Sequence, residues 1–336
     1  MKLLVTGASG FLGRYVVNDG LRRGHSVRAM IRPATRCRPM IWKDHPRVEI
    51  VRVDLRSNRD LVDALEGIDV VIHAAATKSG DSHAILAGTL VATENLLGAM
   101  IESQVRRIVL VSSFAVYDYL RLPSFTEVNE LSPLESRPQE RDAYCQSKLA
   151  QEVLVRKCAE HNGWKWTIVR PGAVYGQEEQ WTARLGIKGS RTWIRLGAWA
   201  LVPLTYVENC AEAIVLAAEK KGAVGQVLNI VDDGLPRQRT YFSELHRRTK
   251  PRPRVLRVPW TMLRLMARCS SFANRLVFNG RVKLPYMLVP ARLHALAKPL
   301  RYPNRRMKEA TGWQPRYSLD EALRRCFQSD SLMQSE

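Results

Sequence analysis

Tyr144 and Lys148 stand four residues apart in the run Tyr144-Cys145-Gln146-Ser147-Lys148. Side chains at that spacing share one face of a helix, which sets the ammonium beside the phenol. A free phenol titrates at about 10, and a neighbouring positive charge favours the phenolate, bringing the group toward acid and base work at neutral pH. A second motif opens the chain, Thr6-Gly7-Ala8-Ser9-Gly10-Phe11-Leu12-Gly13. Its glycines, spaced GxxGxxG, suit a tight turn, a close backbone approach to a pyrophosphate and close helix packing. The helix that follows offers its first N–H groups to phosphates. Together the two motifs point to redox chemistry on a nicotinamide.

Further groups join this set. The run Val111-Ser112-Ser113-Phe114-Ala115-Val116-Tyr117 ends a strand, where a serine can hydrogen-bond a substrate carbonyl oxygen as charge develops on it. Lys148 can also bond the ribose of the nicotinamide. The second strand ends in Arg28-Ala29-Met30-Ile31-Arg32. An acid at that end binds the 2′-hydroxyl of NAD, whereas an arginine accommodates the 2′-phosphate of NADP. Arg32 is placed for this, with Arg36 to assist; the other reading is a solvated surface arginine. Asp54, closing the third strand, either accepts from the adenine amine or caps a helix.

The elements that must position these groups alternate. Strand candidates are Lys2–Thr6, Ser26–Ile31, Val48–Val53, Asp69–Ala74, Arg107–Ser112 and Trp166–Arg170, apolar runs that suit parallel strands buried on both faces. Helical stretches fall at Gly10–Arg23, Asn58–Leu65, Ala84–Glu102 and Ala143–Asn162. The rhythm implies an α/β fold, a doubly wound, Rossmann-like parallel sheet with a smaller C-terminal substrate lobe. After Pro171 it breaks. Val174–Leu204 reads as loop-rich, Tyr206–Lys220 as a helix, Gln226–Val231 as a returning strand, and the chain from Gly234 as short segments. Residues 1–173, with 206–233 returning to them, form the dinucleotide-binding domain; 174–205 and 234–330 form the substrate lobe. In that lobe Trp181, Trp193, Trp199 and Tyr206 either line an apolar substrate site or make the lobe core, and Arg184, Lys188, Arg191 and Arg195 could bind an anionic group.

Composition sets the bounds. With 336 residues, 46% hydrophobic and 25% charged, the chain is an ordinary globular protein. No uninterrupted apolar run of about 18 residues occurs, so no transmembrane helix is expected. Leu3–Val5 reads as a first strand, not a signal peptide. Six cysteines are scattered without a CxxC pair and without clustered histidines, which points to free thiols in a reducing cytoplasm and to no metal. The net charge is +20, and the window 245–308 holds seventeen Lys and Arg with no Asp or Glu. Within it, Trp260–Phe278 is a basic, partly amphipathic helix pattern. It reads as a lid over the active site, as a contact with an anionic membrane surface, or as a nucleic-acid site, for which no motif is present.

The motifs resemble those of the short-chain dehydrogenase/reductase superfamily, in its extended branch, over nearly the whole chain. They comprise the three loop glycines, Asp54, His73-Ala74-Ala75-Ala76, Ser112-Ser113, Tyr144 with Lys148, Arg170-Pro171-Gly172, Tyr206-Val207-Glu208 and Thr311-Gly312-Trp313-Gln314-Pro315. The resemblance implies Tyr144 as acid/base, Lys148 as its partner and Ser113 as carbonyl donor, Ser113 being four residues before Tyr117. It implies a cofactor held by Gly7, Ser9, Gly10, Phe11, Leu12, Gly13, Arg32, Asp54, Leu55, Ala74, Ala75, Ala76, Tyr144, Lys148 and Pro171. Three departures stand against a nucleotide-sugar substrate: Ala173 where such enzymes carry asparagine, no arginine in Val202-Pro203-Leu204-Thr205, and Thr89 where asparagine is usual. The chain thus looks nearer the 3β-hydroxysteroid dehydrogenase and dihydroflavonol reductase side. The expectation is a cytoplasmic NADP(H)-dependent enzyme, NAD being the other cofactor, that interconverts a secondary alcohol and a ketone on a fairly apolar small molecule. A nucleotide-sugar epimerase or dehydratase and a non-catalytic dinucleotide regulator are the alternatives. A homodimer through Ala84–Glu102 and Ala143–Asn162 is a further family expectation, and no nucleic-acid partner is expected.

Overall fold

Apolar runs rich in Val, Ile and Leu cannot leave their backbone polar groups unpaired in a core, and here they pair with one another in a central parallel sheet. The computed structural model describes residues 1–33, 40–57, 60–77, 80–279, 282, 284–285 and 288–332. In chain order the elements of the first half are β1 (Lys2–Thr6), α1 (Phe11–Arg22), β2 (Ser26–Ile31), β3 (Val48–Arg52), β4 (Val70–His73), α2 (Ser82–Glu102), β5 (Arg107–Val111), α3 (Ala143–His161) and β6 (Lys165–Pro171). The second half holds β7 (Ala173–Tyr175), β8 (Gly186–Lys188), β9 (Thr192–Leu196), β10 (Leu204–Tyr206), α4 (Val207–Glu219), β11 (Gln226–Ile230), α5 (Gln238–Arg248), β12 (Arg254–Val258), α6 (Trp260–Phe278), α7 (Pro290–Ala297), α8 (Arg305–Thr311) and α9 (Leu319–Leu332).

Seven strands make one sheet in the order β11-β6-β5-β4-β1-β2-β3, and every neighbouring pair is parallel. The chain winds both ways from β1, as a doubly wound fold requires, and the switch between β1 and β4 opens a crevice at the carboxyl edge. Helices α1 and α4 pack together, as do α2 and α3. Two apolar clusters occupy the layers, one built on α1 and α4 and one on α2. Among the described residues α2 alone has the length and apolar character to cross a membrane. It lies against α3 with Ala92, Thr93, Leu96, Leu97 and Met100 buried.

Two expectations change. The helix read over 58–65 is only a 3₁₀ turn at Asp63–Leu65, with 58 and 59 outside the described residues. The guanidinium of buried Arg28 takes the carbonyls that a helix needs, donating to Ala64 O and Glu66 O at 2.9 Å each, and Asp60 is left-handed at φ 59°. The stretch after Pro171 is also more ordered than its Gly, Trp and Arg content suggests. Strand β9 pairs antiparallel with β8 and parallel with β12, some sixty positions later, while β7 pairs with β10. Nor is the chain beyond Gly234 made only of short segments, for α6 runs for 19 residues.

Candidate active site

The glycine loop joins β1 to α1. Gly7 has φ 69°, and a Cβ there would press at 3.0 Å on the backbone N and Cα of Ala75. A Cβ at Gly13 would collide with the Gly7 carbonyl. Gly10 caps α1 without a side-chain hydrogen bond, so the first turn keeps its N–H groups for another acceptor. Phe11 is buried and Leu12 half-buried in the apolar core, so these two serve the loop through their backbone. Ser9 is half-buried in the turn. Ala74, Ala75 and Ala76 follow β4 directly beneath the loop, and buried Pro171 ends β6. The loop has the donor set of a dinucleotide pyrophosphate site in the first-turn N–H groups of α1, and the bare Gly7 and Gly13 let it pack closely against Ala75 and α1.

Ser113 and Tyr144 meet at the carboxyl edge of β5. Ser113 caps a 3₁₀ turn, accepting from Ala115 N at 3.1 Å. The cap of α3 is Asp142, which accepts from Cys145 N at 2.8 Å and sets Tyr144 in the first turn. Ser113 lies beside the Tyr144 phenol, close enough for its hydroxyl to act on the phenol's ionisation. Here an expectation is corrected. Burial holds the phenol above its usual value, and Ser113, which favours the phenolate, only opposes that rise. The Lys148 ammonium, meanwhile, donates to Val111 O and to Gln151 Oε1, both at 2.8 Å.

That lysine heads a buried polar chain. Because Gln151 Oε1 accepts from Lys148, its amide nitrogen faces inward, 2.8 Å from Thr93 Oγ1 and 3.0 Å from His73 Nε2. His73 Nδ1 lies 2.8 Å from Thr6 Oγ1, which in turn accepts from Ala75 N at 3.2 Å. Burial first, and the Lys148 charge second, push the His73 pKa down to about 3, so the imidazole is neutral. The chain ties the lysine to the backbone beneath the glycine loop. Gln151, Thr93 and Thr6 are absent from the sequence-derived site, although Gln151 follows Lys148 at helical spacing on the same face.

The neighbouring serine has a different partner. Ser112 Oγ donates to Glu152 Oε1 at 2.5 Å, and Glu152 takes Arg170 in a bidentate pair at 2.9 and 2.7 Å. Arg170 also donates to Tyr117 OH at 3.1 Å and lies over its ring.

At the adenosine end, Arg32 is exposed just past β2. Asp54 both caps a turn and forms an ion pair: Oδ1 accepts from Arg56 N at 3.0 Å and Oδ2 from the Arg56 guanidinium at 2.6 Å. These bonds to Arg56 are the largest influence holding its carboxyl below the usual range, and the nearby Arg32 charge adds to them. Leu55 is buried, its carbonyl accepting from Asn95 at 2.9 Å. Arg36 lies outside the described residues. Arg56 is a cation of this corner that the sequence reading misses, two residues after Asp54.

The lobe contributes a cavity of about 660 Å³ lined by Phe125, Trp199 and Trp260 with Arg195, Arg237 and Arg257. Trp193 and Tyr206 are buried, and Trp181 packs on Trp193 with rings 4.9 Å apart, so these three are lobe core. Trp199 is the aromatic left at the cavity, with the Arg239 guanidinium 4.3 Å from its ring centre. Gln238 joins the cavity wall to the catalytic edge. Its amide nitrogen donates to Arg184 O at 2.5 Å. The Arg184 guanidinium bonds Tyr119 OH at 3.0 Å, and Tyr119 OH donates to the carbonyl of Phe114, beside Ser113.

A doubly wound sheet, a glycine loop at its switch point and a Ser-Tyr-Lys set at the carboxyl edge define an NAD(P)-binding oxidoreductase of the extended short-chain dehydrogenase/reductase class. A family model described as "NAD dependent epimerase/dehydratase family" matches residues 3–231, and the chain belongs to that family. It is 27% identical over 340 residues to the human sterol-4-alpha-carboxylate 3-dehydrogenase, decarboxylating, covering 97% of this chain and 87% of that one. It is 29% identical over 274 residues to a 4-hydroxy-2-methyl-3-oxo-4-farnesyl-3,4-dihydroquinoline-1-oxide ketoreductase from Stigmatella aurantiaca, covering 80% and 79%. Among solved structures it resembles a UDP-glucose 4-epimerase from Thermotoga maritima, with a TM-score of 0.72 at 18% identity over 99% of this chain and 100% of the other. The last likeness bears on the fold alone.

Proposed function

We propose that the protein is an NADP(H)-dependent reductase and dehydrogenase that interconverts a ketone and a secondary alcohol on a largely apolar small molecule. The observation that carries this reading is the placing of Ser113 beside the Tyr144 phenol, close enough to act on its ionisation, at the carboxyl edge that also holds the glycine loop. A bound nicotinamide supplies the hydride for reduction and takes it in oxidation. Tyr144 gives its phenolic proton to the substrate oxygen as the alcohol forms, and the phenolate recovers a proton from solvent. Ser113 donates to the same oxygen, where negative charge develops. Lys148, held by Val111 and Gln151, orients the cofactor ribose and fixes the positive charge of the site.

Arg32 and Arg56 support NADP, for the end of β2 carries no acid to receive a ribose 2′-hydroxyl. The lobe cavity pairs aromatic faces with arginines, a wall that suits an apolar body bearing an anionic or strongly polar group, and Ser113, Tyr144 and Lys148 are not among its lining residues. The named ketoreductase and sterol dehydrogenase relatives agree in chemistry with this reading. Epimerisation through transient oxidation is less well supported. Ala173 has no side-chain donor, Val202 is buried, and Thr89 Oγ1 accepts from Thr77 N at 3.2 Å. Turnover tests the proposal: with a panel of apolar ketones and nucleotide sugars, ketone-dependent NADPH consumption is expected and should vanish in Tyr144→Phe. Conversion of a nucleotide sugar without net cofactor consumption would overturn it.

A further inference from the structure

Helix α6 carries two apolar stripes. One holds it to the protein: Leu263 and Ala267 are buried with Leu196 and Leu293. The second faces outward and holds Met262, Leu265, Met266, Phe272, Leu276 and Val277, each between 45% and 72% exposed. At 3.6 residues per turn these six positions fall on one side of the helix. Soluble surfaces carry single exposed apolar residues freely, but a continuous stripe of six marks a contact surface. Arg264 and Arg268 are exposed on the same helix, and exposed Arg252, Arg254 and Arg257 precede it on and before β12. No acid lies anywhere in the window 245–308. The first turn of α6 also helps to line the lobe cavity, through Trp260 and Thr261.

We infer that this face of α6 seats the protein on an anionic lipid surface. An apolar stripe with arginines beside it lies in the plane of a bilayer interface, the apolar side chains reaching the acyl boundary and the guanidiniums meeting headgroup phosphates. The charge pattern selects this occupant over the others. A second copy of the chain would bring like-charged arginines together around the stripe, and a nucleic acid would find leucine, methionine and phenylalanine where its phosphates need cations. The inference stands apart from the identity of the substrate. It does bring the first turn of α6, which helps to line the cavity, to the membrane surface, where apolar molecules concentrate.

Flotation of the full chain with vesicles tests it. Vesicles of phosphatidylcholine alone are compared with equal parts of phosphatidylcholine and phosphatidylglycerol. The protein should float with the anionic vesicles and added salt should weaken this. The double substitution Leu265→Ser with Phe272→Ser should lower binding by about tenfold or more, and Arg264→Gln with Arg268→Gln should lower it on anionic vesicles only. Unchanged melting temperature and NADPH binding would show that both variants are folded. Equal binding to neutral and anionic vesicles, no binding to either, or a serine variant that binds like the parent would each overturn the inference. So would light scattering showing that the serine substitutions convert a dimer into a monomer, since the stripe would then hold a second copy.

Discussion

Ser112 and Ser113 are adjacent in the chain, yet their hydroxyls serve different structures. Ser112 bonds the buried carboxylate of Glu152 at 2.5 Å, whereas Ser113 lies beside the phenol of Tyr144 and acts on its ionisation. Consecutive side chains in extended backbone point to opposite sides, so only one of the two can face the crevice. Ser113→Ala should therefore lower kcat by about 10²–10³-fold with little loss of stability. Ser112→Ala should leave kcat nearly intact and cost about 1–3 kcal/mol of stability, because a buried carboxylate loses a donor. Steady-state kinetics and urea unfolding of the two variants separate the roles; similar kinetic defects in both would refute the assignment.

Tyr144 makes a prediction about pH. Its pKa is raised by burial against a smaller opposing effect from Ser113. At neutral pH the phenol is therefore protonated, the form that reduction needs. Oxidation needs the phenolate, so its rate should climb about tenfold per pH unit through the neutral and mildly alkaline range. Reduction should stay flat over the same range. An oxidation rate already level at neutral pH would show a phenol that ionises early, against the effect of burial.

Glu152 and Arg170 form a bidentate pair at the base of the site, with side chains 3% and 2% exposed. Glu152→Gln leaves the guanidinium buried without its charge partner and should destabilise the fold by about 3–5 kcal/mol. Replacing both residues with apolar ones of similar volume should cost much less, because the pair bears a heavy desolvation penalty of its own. Denaturant midpoints of the single and double variants check this, and equal losses in both would contradict it.

How far the sequence reaches is clear from these groups. The sheet strands are legible because each is a short apolar run bounded by turn residues, so pairing shifts their ends by only a residue or so. Gly7 and Gly13 are legible because the backbone leaves no room for a Cβ. The division of labour between Ser112 and Ser113 is legible only by resemblance, since both are serines at a strand end. The turn at Asp63–Leu65 is not legible at all: Arg28, thirty-five positions earlier, takes its carbonyls. The β12-β9-β8 sheet is hidden for a similar reason, as Arg195 and Trp193 look like loop residues until β12 pairs beside them. The Tyr144 environment inverts the simplest expectation because burial is a tertiary quantity, and a lysine four residues away says nothing about it.

His73 gives a second pH dependence, in stability. Its folded pKa is about 3 against 6.5 for the free side chain. As pH falls below 6.5 the unfolded chain binds a proton that the folded chain refuses, so this stabilisation is complete above 6.5 and is lost toward 3. His73→Gln should flatten the acid side of the stability profile by up to about 1.4 kcal/mol per pH unit. It should also loosen Gln151 and, through it, Lys148, raising KM for the cofactor. Matching acid slopes in parent and variant, by urea unfolding at several pH values, would exclude this role.

Arg32 should set the choice between NADP and NAD at the adenosine corner. It is exposed at the end of β2, and the Asp54 carboxyl is held down first by its bonds to Arg56 and then, more weakly, by the Arg32 charge. A 2′-phosphate that meets the Arg32 guanidinium would gain charge-assisted bonds that a 2′-hydroxyl cannot. Arg32→Ala should weaken NADPH binding by about 10–100-fold and leave NADH binding almost unchanged. Arg56→Ala should have a smaller effect of the same sign, because Arg56 is already committed to Asp54. Raising the salt concentration should narrow the NADPH preference of the parent, since both cations are solvent-exposed. Calorimetric titration with each dinucleotide provides the check, and equal losses for NADPH and NADH in Arg32→Ala would mean that the arginine supports the loop without reading the phosphate.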